Sequence, residues 1–388
     1  MGLLINLFKK VKSQLLPEGF RDSLPDLAGK EFLISSKFLE LMKRNGYSII
    51  KPPLLEFENS LFFLTNDQEN INSFRLLDPV SQKMMGFRPD ITPQVARISC
   101  GSLFESPRPL RLCYSGEVLK ANNNGLNLSR QITQIGSEMI GIENNFCEKE
   151  IIDLIIETLK ELQIKKFFLN FTMPTLIESI AKDYKLVKKD LDFVRTRCLN
   201  KNSLGIEKIS ESLKVIINKL LNTVGLVQNN IKNLKQIKFP ANTQIEINNF
   251  IKIVEKIKKN FPNLHLYMDP LEIDESDYHT GVAFKVFSEN FKELFTGGNY
   301  KVLNENCIGF SGYIENLVKE SLIKVNNLKK IFVNEDINSD IKHNLQKKGY
   351  VVVRSLKKIN KNIILKKAQA HNCDFYLSEK KIIKVGKK

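Results

Sequence analysis

Residues 110–142 carry two strand-patterned segments, Leu110 to Lys120 and Ser129 to Ile142. They are separated by ANNNGLNL, a stretch too polar and too rich in Asn and Gly to be an element itself. Side chains alternate along a strand, so RQITQIGSE (130–138) sets Arg130, Ile132, Gln134, Gly136 and Glu138 on one side. RPDIT (88–92) does the same for Arg88, Asp90 and Thr92. A sheet face packed on a core does not normally carry Gln and Glu at such spacing. Facing solvent, these residues are ordinary surface; facing a covered pocket, they hold a ligand. Periodicity leaves both readings open.

The rest of the chain alternates in character. Leu27 to Arg44 has apolar residues at helical spacing, and Asn45-Gly46 stops that helix with residues that tolerate a left-handed backbone. Tyr47 to Lys51 predicts a short strand ended by Pro52-Pro53, and residues 74–88 two short strands about a turn at Asp78-Pro79. Thr92 to Leu103 predicts a helix with Thr92 as N-cap and Pro93 at its first position. Residues 148–162 read as helix and Phe167 to Phe171 as strand. Residues 176–261 are lysine-rich and helical in period, as in LKVIINKLL and FIKIVEKIKK. Strand patterns return at His265–Met268 and Val282–Phe287, followed by an expected turn at Gly297-Gly298. Beyond Leu322, strands at 331–333, 350–354, 374–377 and 382–385 alternate with helices at 338–348 and 361–370, which predicts a small α/β module.

Composition narrows the function classes. The 388 residues are 42% hydrophobic and 26% charged, ordinary for a globular chain, and suggest two or three domains. No apolar run approaches the ~18 residues of a membrane-spanning helix, and the start, Met1 to Lys12, lacks the charge order of a secretory signal. The six cysteines form no CxxC pair and the four histidines do not cluster at ligand spacing, so neither a metal nor a disulfide framework is expected, and reduced thiols in the cytoplasm are. Neither GxxxxGK[ST] nor a strand-linked GxGxxG occurs. Of the net charge of +16, residues 324–388 carry +12, from 17 Lys and Arg against 5 Asp and Glu. That suggests a polyanion partner, or compositional drift in a chain rich in Lys, Asn and Ile.

Several segments together resemble a family. PEGFRDSLPD (17–26) and NGYSIIKPPLLE (45–56) are similar to the start and motif 1 of class II aminoacyl-tRNA synthetases, nearest the histidine-specific branch. GFRPDITPQVAR (86–97), RPLRLCYSGEVLK (108–120) and RQITQIGSEMIG (130–141) continue the match through motif 2. DYHTGVAFKVF (277–287), TGGNY (296–300) and IGFSGYIENL (308–317) resemble the later histidine-family segments and motif 3. The resemblance implies an α+β fold, a six-stranded antiparallel sheet with flanking helices, dimeric through motif 1. It divides the chain into a core at 1–175 and 262–322, a helical insertion at 176–261, and a truncated anticodon-binding-like module at 323–388.

Departures from the synthetase pattern shape the expected function. Where the synthetase has an arginine on the ATP α-phosphate, this chain has Lys120; an adenine-reading acid becomes Asn122, a loop arginine Leu128, the motif 3 arginine Asn316, and the arginine between substrate carboxylate and α-phosphate Asp274. Adenylate formation concentrates negative charge and needs preorganised cations. Lysine lacks the bidentate fork of arginine. At ~4 Å and an effective dielectric of ~20, one misplaced charge costs about 4 kcal/mol. The amino-acid pocket is kept: by resemblance, Asp90, Thr92 and Gln134 hold the α-amino group of histidine, Glu138 accepts from the imidazole, Tyr300 lines the pocket, and His279 stands in for a tyrosine.

This combination resembles the histidyl-tRNA-synthetase-like regulatory subunits of ATP phosphoribosyltransferase. That implies no catalytic residues and no cofactor in this chain. It also implies a short catalytic subunit as partner, L-histidine as effector, and a homodimer within a larger hetero-oligomer. AQAHNCDFYLSEKKIIKV (368–385) matches the later strands of the anticodon-binding domain, whose final strand and helix have no counterpart here, so tRNA is not an expected partner. The rival readings are a divergent histidyl-tRNA synthetase and an RNA-binding relic acting through residues 324–388.

Overall fold

The computed structural model describes residues 16–61, 73–122, 129–143, 147–272, 279–325, 328–379 and 381–386. Its first compact unit runs to Ile323 and its second covers Lys324–Lys388.

The first unit opens with α1 (Pro25–Arg44), which buries Ile34, Phe38, Leu41 and Met42, followed by β1 (Ser48–Ile49), β2 (Leu55–Phe57) and the short α2 (Glu58–Leu61). Strands β3 (Arg75–Leu77) and β4 (Met84–Phe87) join β2 in a three-stranded sheet. Then come α3 (Thr92–Cys100), β5 (Leu110–Leu119), β6 (Gln131–Ile140), α4 (Cys147–Glu161) and β7 (Phe167–Thr172). Helices α5 (Leu176–Asp183), α6 (Lys188–Leu199), α7 (Glu211–Leu221), α8 (Val227–Gln236) and α9 (Ala241–Asn260) follow, with the two-residue β8 (Gly225–Leu226) among them. The unit closes with β9 (His265–Asp269), β10 (His279–Ser288), β11 (Glu293–Val302), β12 (Glu305–Tyr313) and α10 (Ile314–Glu320).

The main sheet has nine strands in the order β1-β5-β6-β12-β11-β10-β7-β9-β8. The six from β5 to β7 are mutually antiparallel, as expected, but β1 pairs with β5 and β9 with β7 in parallel, so the whole is wider and mixed. Alternation sorts its faces. Ile135 and Met139 of β6, Leu169 and Phe171 of β7, Phe295 of β11 and Phe310 of β12 pack with the helices, where Phe310 meets Phe38 and Phe295 edge-on at 6.1 and 5.3 Å. The opposite face carries Leu112, Tyr114, Tyr300 and Val302, with Ile91 and Val95 over them.

Two local expectations are corrected. Gly297 and Gly298 lie inside β11, paired with Phe310 and Gly309 of β12, and form no turn. Their lack of a side chain serves close approach: a Cβ on Gly298 would press into Ala283 of β10, and one on Gly297 into the Gly309 carbonyl. The cap of α3 is Ile91, and Thr92 falls within the helix. Asp90 still reaches the start of α3, accepting the Thr92 N–H at 3.0 Å.

The second unit has β13 (Lys330–Val333), α11 (Ser339–Lys347), β14 (Val351–Arg354), α12 (Lys361–Ala370), β15 (Phe375–Ser378) and β16 (Lys381–Lys384). Its sheet order is β14-β13-β15-β16, with β13 parallel to both its neighbours and β16 antiparallel.

A buried carboxylate pocket on the open sheet face

Strand β6 resolves the ambiguity of its polar series. Gln134 and Glu138 are each 1% exposed, on the face that α3 covers, so they line a covered space. Three hydroxyls converge on Glu138. Tyr300 of β11 donates to Oε2 at 2.9 Å, while Thr92 of α3 and Tyr114 of β5 reach Oε1 at 3.1 and 3.2 Å. Burial pushes the Glu138 carboxyl up to about 8, against the lowering effect of the Tyr300 hydrogen bond. The Tyr300 phenol is raised as well, by burial first and then by the neighbouring carboxylate.

His279 of β10 sits opposite Tyr300 in the strand register. Thr92, Glu138, His279 and Tyr300 line one cavity of about 10 Å³, with Gly298 and Gly309 in its wall. That is room for about one water molecule. An imidazole is larger than this space, so the lining must rearrange to admit one. Gly309 permits the arrangement, because a Cβ there would collide with the Glu138 carboxylate. Beside the cavity, Gln134 donates to Asp90 Oδ1 at 2.7 Å and accepts the Ile91 N–H at 2.9 Å. The structure thus brings four of the six candidate residues to one cavity and joins the other two, Asp90 and Gln134, to each other.

Tyr114 was not among the candidates. Its signal was the register: it faces Gly136 across β5 and β6, and a Cβ on Gly136 would strike the Tyr114 hydroxyl. Arg97 and Arg130, two cations of the matched segments that could have neutralised Glu138, are engaged elsewhere. Arg97 pairs with Glu56, at 3.0 Å from Nε to Oε2, and the Arg130 guanidinium lies 4.5 Å from the Phe74 ring and 5.7 Å from that of Phe20.

Two of the positions that the resemblance assigns to ATP, Lys120 and Asn316, are turned inward. Lys120 Nζ sits 4.6 Å over the Tyr313 ring. Burial disfavours its charge, but Tyr313, Asp90 and Glu293 outweigh that and raise its pKa. Asn316 donates its side-chain amide to the Glu293 carbonyl at 2.9 Å. Leu128 and Asp274 lie outside the described residues. A triphosphate needs cations directed at open space, whereas Lys120 lies against Tyr313 and Asn316 is neutral. Among the described residues, no group of His, Cys, Asp and Glu could hold a metal ion.

A profile of the family described as histidyl-tRNA synthetase matches residues 19–317. An ATP phosphoribosyltransferase regulatory subunit of Paramagnetospirillum magneticum is 34% identical over 288 residues, covering 74% of this chain and 76% of the relative. One of Gluconobacter oxydans is 30% identical, covering 88% and 90%. Among solved structures, an ATP phosphoribosyltransferase regulatory subunit/histidyl-tRNA synthetase from Bacillus halodurans superposes with a TM-score of 0.77 at 23% identity, covering 94% and 97%. A histidyl-tRNA synthetase from Nostoc gives 0.70 at 14%, covering 94% and 91%, which supports the fold alone.

Proposed function

This chain belongs to the family of ATP phosphoribosyltransferase regulatory subunits, built on the histidyl-tRNA synthetase fold, and from that membership we propose how it acts. It regulates a transferase whose chemistry is done by a separate, short catalytic subunit, and it conveys histidine feedback to that subunit. The observation that carries this reading is the combination of a retained carboxylate pocket with ATP-facing positions that no longer offer outward cations. Histidine would place its imidazole N–H toward Glu138 and its ammonium toward Asp90, Thr92 and Gln134, groups able to accept its hydrogen bonds.

A homodimer through the motif 1 region is part of the same reading. In its support, Phe32 and Leu24 at α1 are 74% and 69% exposed, an apolar face suited to a second copy. The cytoplasm is the proposed compartment, supported by six cysteines that form no disulfide. Among the described residues no helix is long and apolar enough to cross a membrane.

The test uses the full chain with a purified short catalytic subunit. Equimolar addition should raise the transferase rate, and histidine should then lower it. The chain alone should give no histidine-dependent pyrophosphate exchange with ATP. A transferase rate unchanged by the addition, or exchange at ~1 s⁻¹ or faster, would overturn the proposal.

A further inference from the structure

A second cavity lies at the far end of the same sheet. It measures about 900 Å³ and is lined by the end of α4, the start of β7, the loop after α9, the start of β9 and the turn between β10 and β11. Its floor is aromatic. Phe168 of β7 meets Tyr267 edge-on at 5.1 Å, stacks on Phe287 at 5.5 Å and meets Phe291 edge-on at 5.7 Å. By strand alternation, Phe168 and Tyr267 share the sheet face that carries Glu138, whereas Lys160 comes from α4 on the other face, so the cavity wraps the ends of the strands. Phe291 is 78% exposed and holds a left-handed backbone, φ 56°, at a turn position where glycine is usual. A bulky residue there strains the backbone, and its exposed ring is open to a stacking ligand.

The rim is basic. Lys166 pairs with Glu289 at 2.7 Å, but Lys160 and Lys165 make no ion pair or side-chain hydrogen bond with any described residue. The last carbonyls of α4 do not compete for them. Those of Thr158, Leu159 and Lys160 accept the N–H groups of Leu162, Ile164 and Gln163.

We propose that this cavity binds a nucleoside phosphate, with the base on the Phe168–Phe291 floor and the phosphates on Lys160 and Lys165. A planar anion uses both features at once: ring faces for stacking and uncompensated cations for charge. The volume falls within the ~300–1,000 Å³ of small-molecule sites. An acidic peptide fits less well. Strand β7 is paired on both sides, by β10 and β9, so its edges offer a peptide backbone nothing to extend. The site stands apart from the Glu138 pocket and holds whether or not that pocket binds histidine.

The probe is ADP, titrated calorimetrically into the full chain at two salt concentrations. Saturable binding is expected, weaker at the higher salt, with adenosine binding more weakly than ADP. The double variant Lys160→Glu/Lys165→Glu should lose at least about tenfold in affinity and melt like the parent, since both lysines lie at the surface. Phe291→Gly should raise the melting temperature, by relieving the backbone, yet bind ADP at least about 5-fold more weakly, the lower end of the loss for one stacking ring. Lys120→Ala/Asn316→Ala should leave ADP affinity unchanged. No saturable binding at millimolar ADP would overturn the proposal. So would affinity indifferent to the lysine reversals, or affinity lost with Lys120 and Asn316 instead. Binding of poly-glutamate in place of ADP would assign the cavity to an acidic protein segment and equally overturn it.

Discussion

Replacing Glu138 by Gln separates a ligand-binding carboxylate from a merely structural one. The side chain receives three hydroxyls, and Gln keeps its shape and one acceptor oxygen for them. Rotation of a hydroxyl lets the new amide donate in return, so the substitution should cost the fold little. The pH dependence follows from burial. The Glu138 acid lies near 8, against an ordinary 4.5, so between those values the native chain holds a proton that the unfolded chain has lost. Stability therefore falls as pH rises through that window. At 1.36 kcal/mol per unit, the loss is on the order of a few kcal/mol, and the Glu138→Gln variant would not show it. For a ligand, the charge-assisted bond needs the ionised carboxylate, so the comparison belongs above about pH 8, where the Glu138 acid has lost its proton and an imidazole N–H can donate to it. Removing the charge should cost about 1.5–3 kcal/mol, or ~10- to 150-fold in histidine affinity. Calorimetric titration of both proteins above about pH 8, with melts from about pH 5 to 8, reads the two effects separately. Equal histidine affinity in parent and variant would refute the ligand role, and equal pH slopes would refute the reasoning from burial.

Two further substitutions probe the scaffold around the pocket. Arg97→Ala should destabilise the chain by about 1–3 kcal/mol, because it leaves Glu56, whose side chain is 7% exposed, with Gln94 as its hydrogen-bond partner and the nearby Arg88 charge; adding Glu56→Gln should recover much of that loss in a denaturant titration. Phe310→Ala should cost about 3–5 kcal/mol in the same assay, since it empties the junction of β12 with Phe38 and Phe295.

Local periodicity and pairwise geometry were not equally readable from the amino acids. The helix ending at Asn45-Gly46 and the strands flanking Asp78-Pro79 announce themselves through turn chemistry and spacing, which are local. Glu138 and Gln134 could be placed on one face, but whether that face was covered depended on α3 and on strands far along the chain. Gly297-Gly298 misled because two adjacent glycines suggest a turn, whereas here they accommodate β10 and β12 at close range. Tyr114 was invisible as a partner of Glu138 because its role depends on the pairing of β5 with β6. The inward turn of Lys120 onto Tyr313 likewise requires two distant segments to meet.

The hydrogen bond from Tyr300 to Glu138 joins residues 162 positions apart. Ribosomes extend a chain at about 5–20 residues per second, so Glu138 emerges roughly 10–30 s before its partner. Throughout that interval β6 has β5 on one side and, on the other, an edge that only β12 later fills. Exposed strand edges recruit other chains. During synthesis the chain is therefore open to misassociation along the very strand that carries its pocket, until β12 emerges to cover that edge.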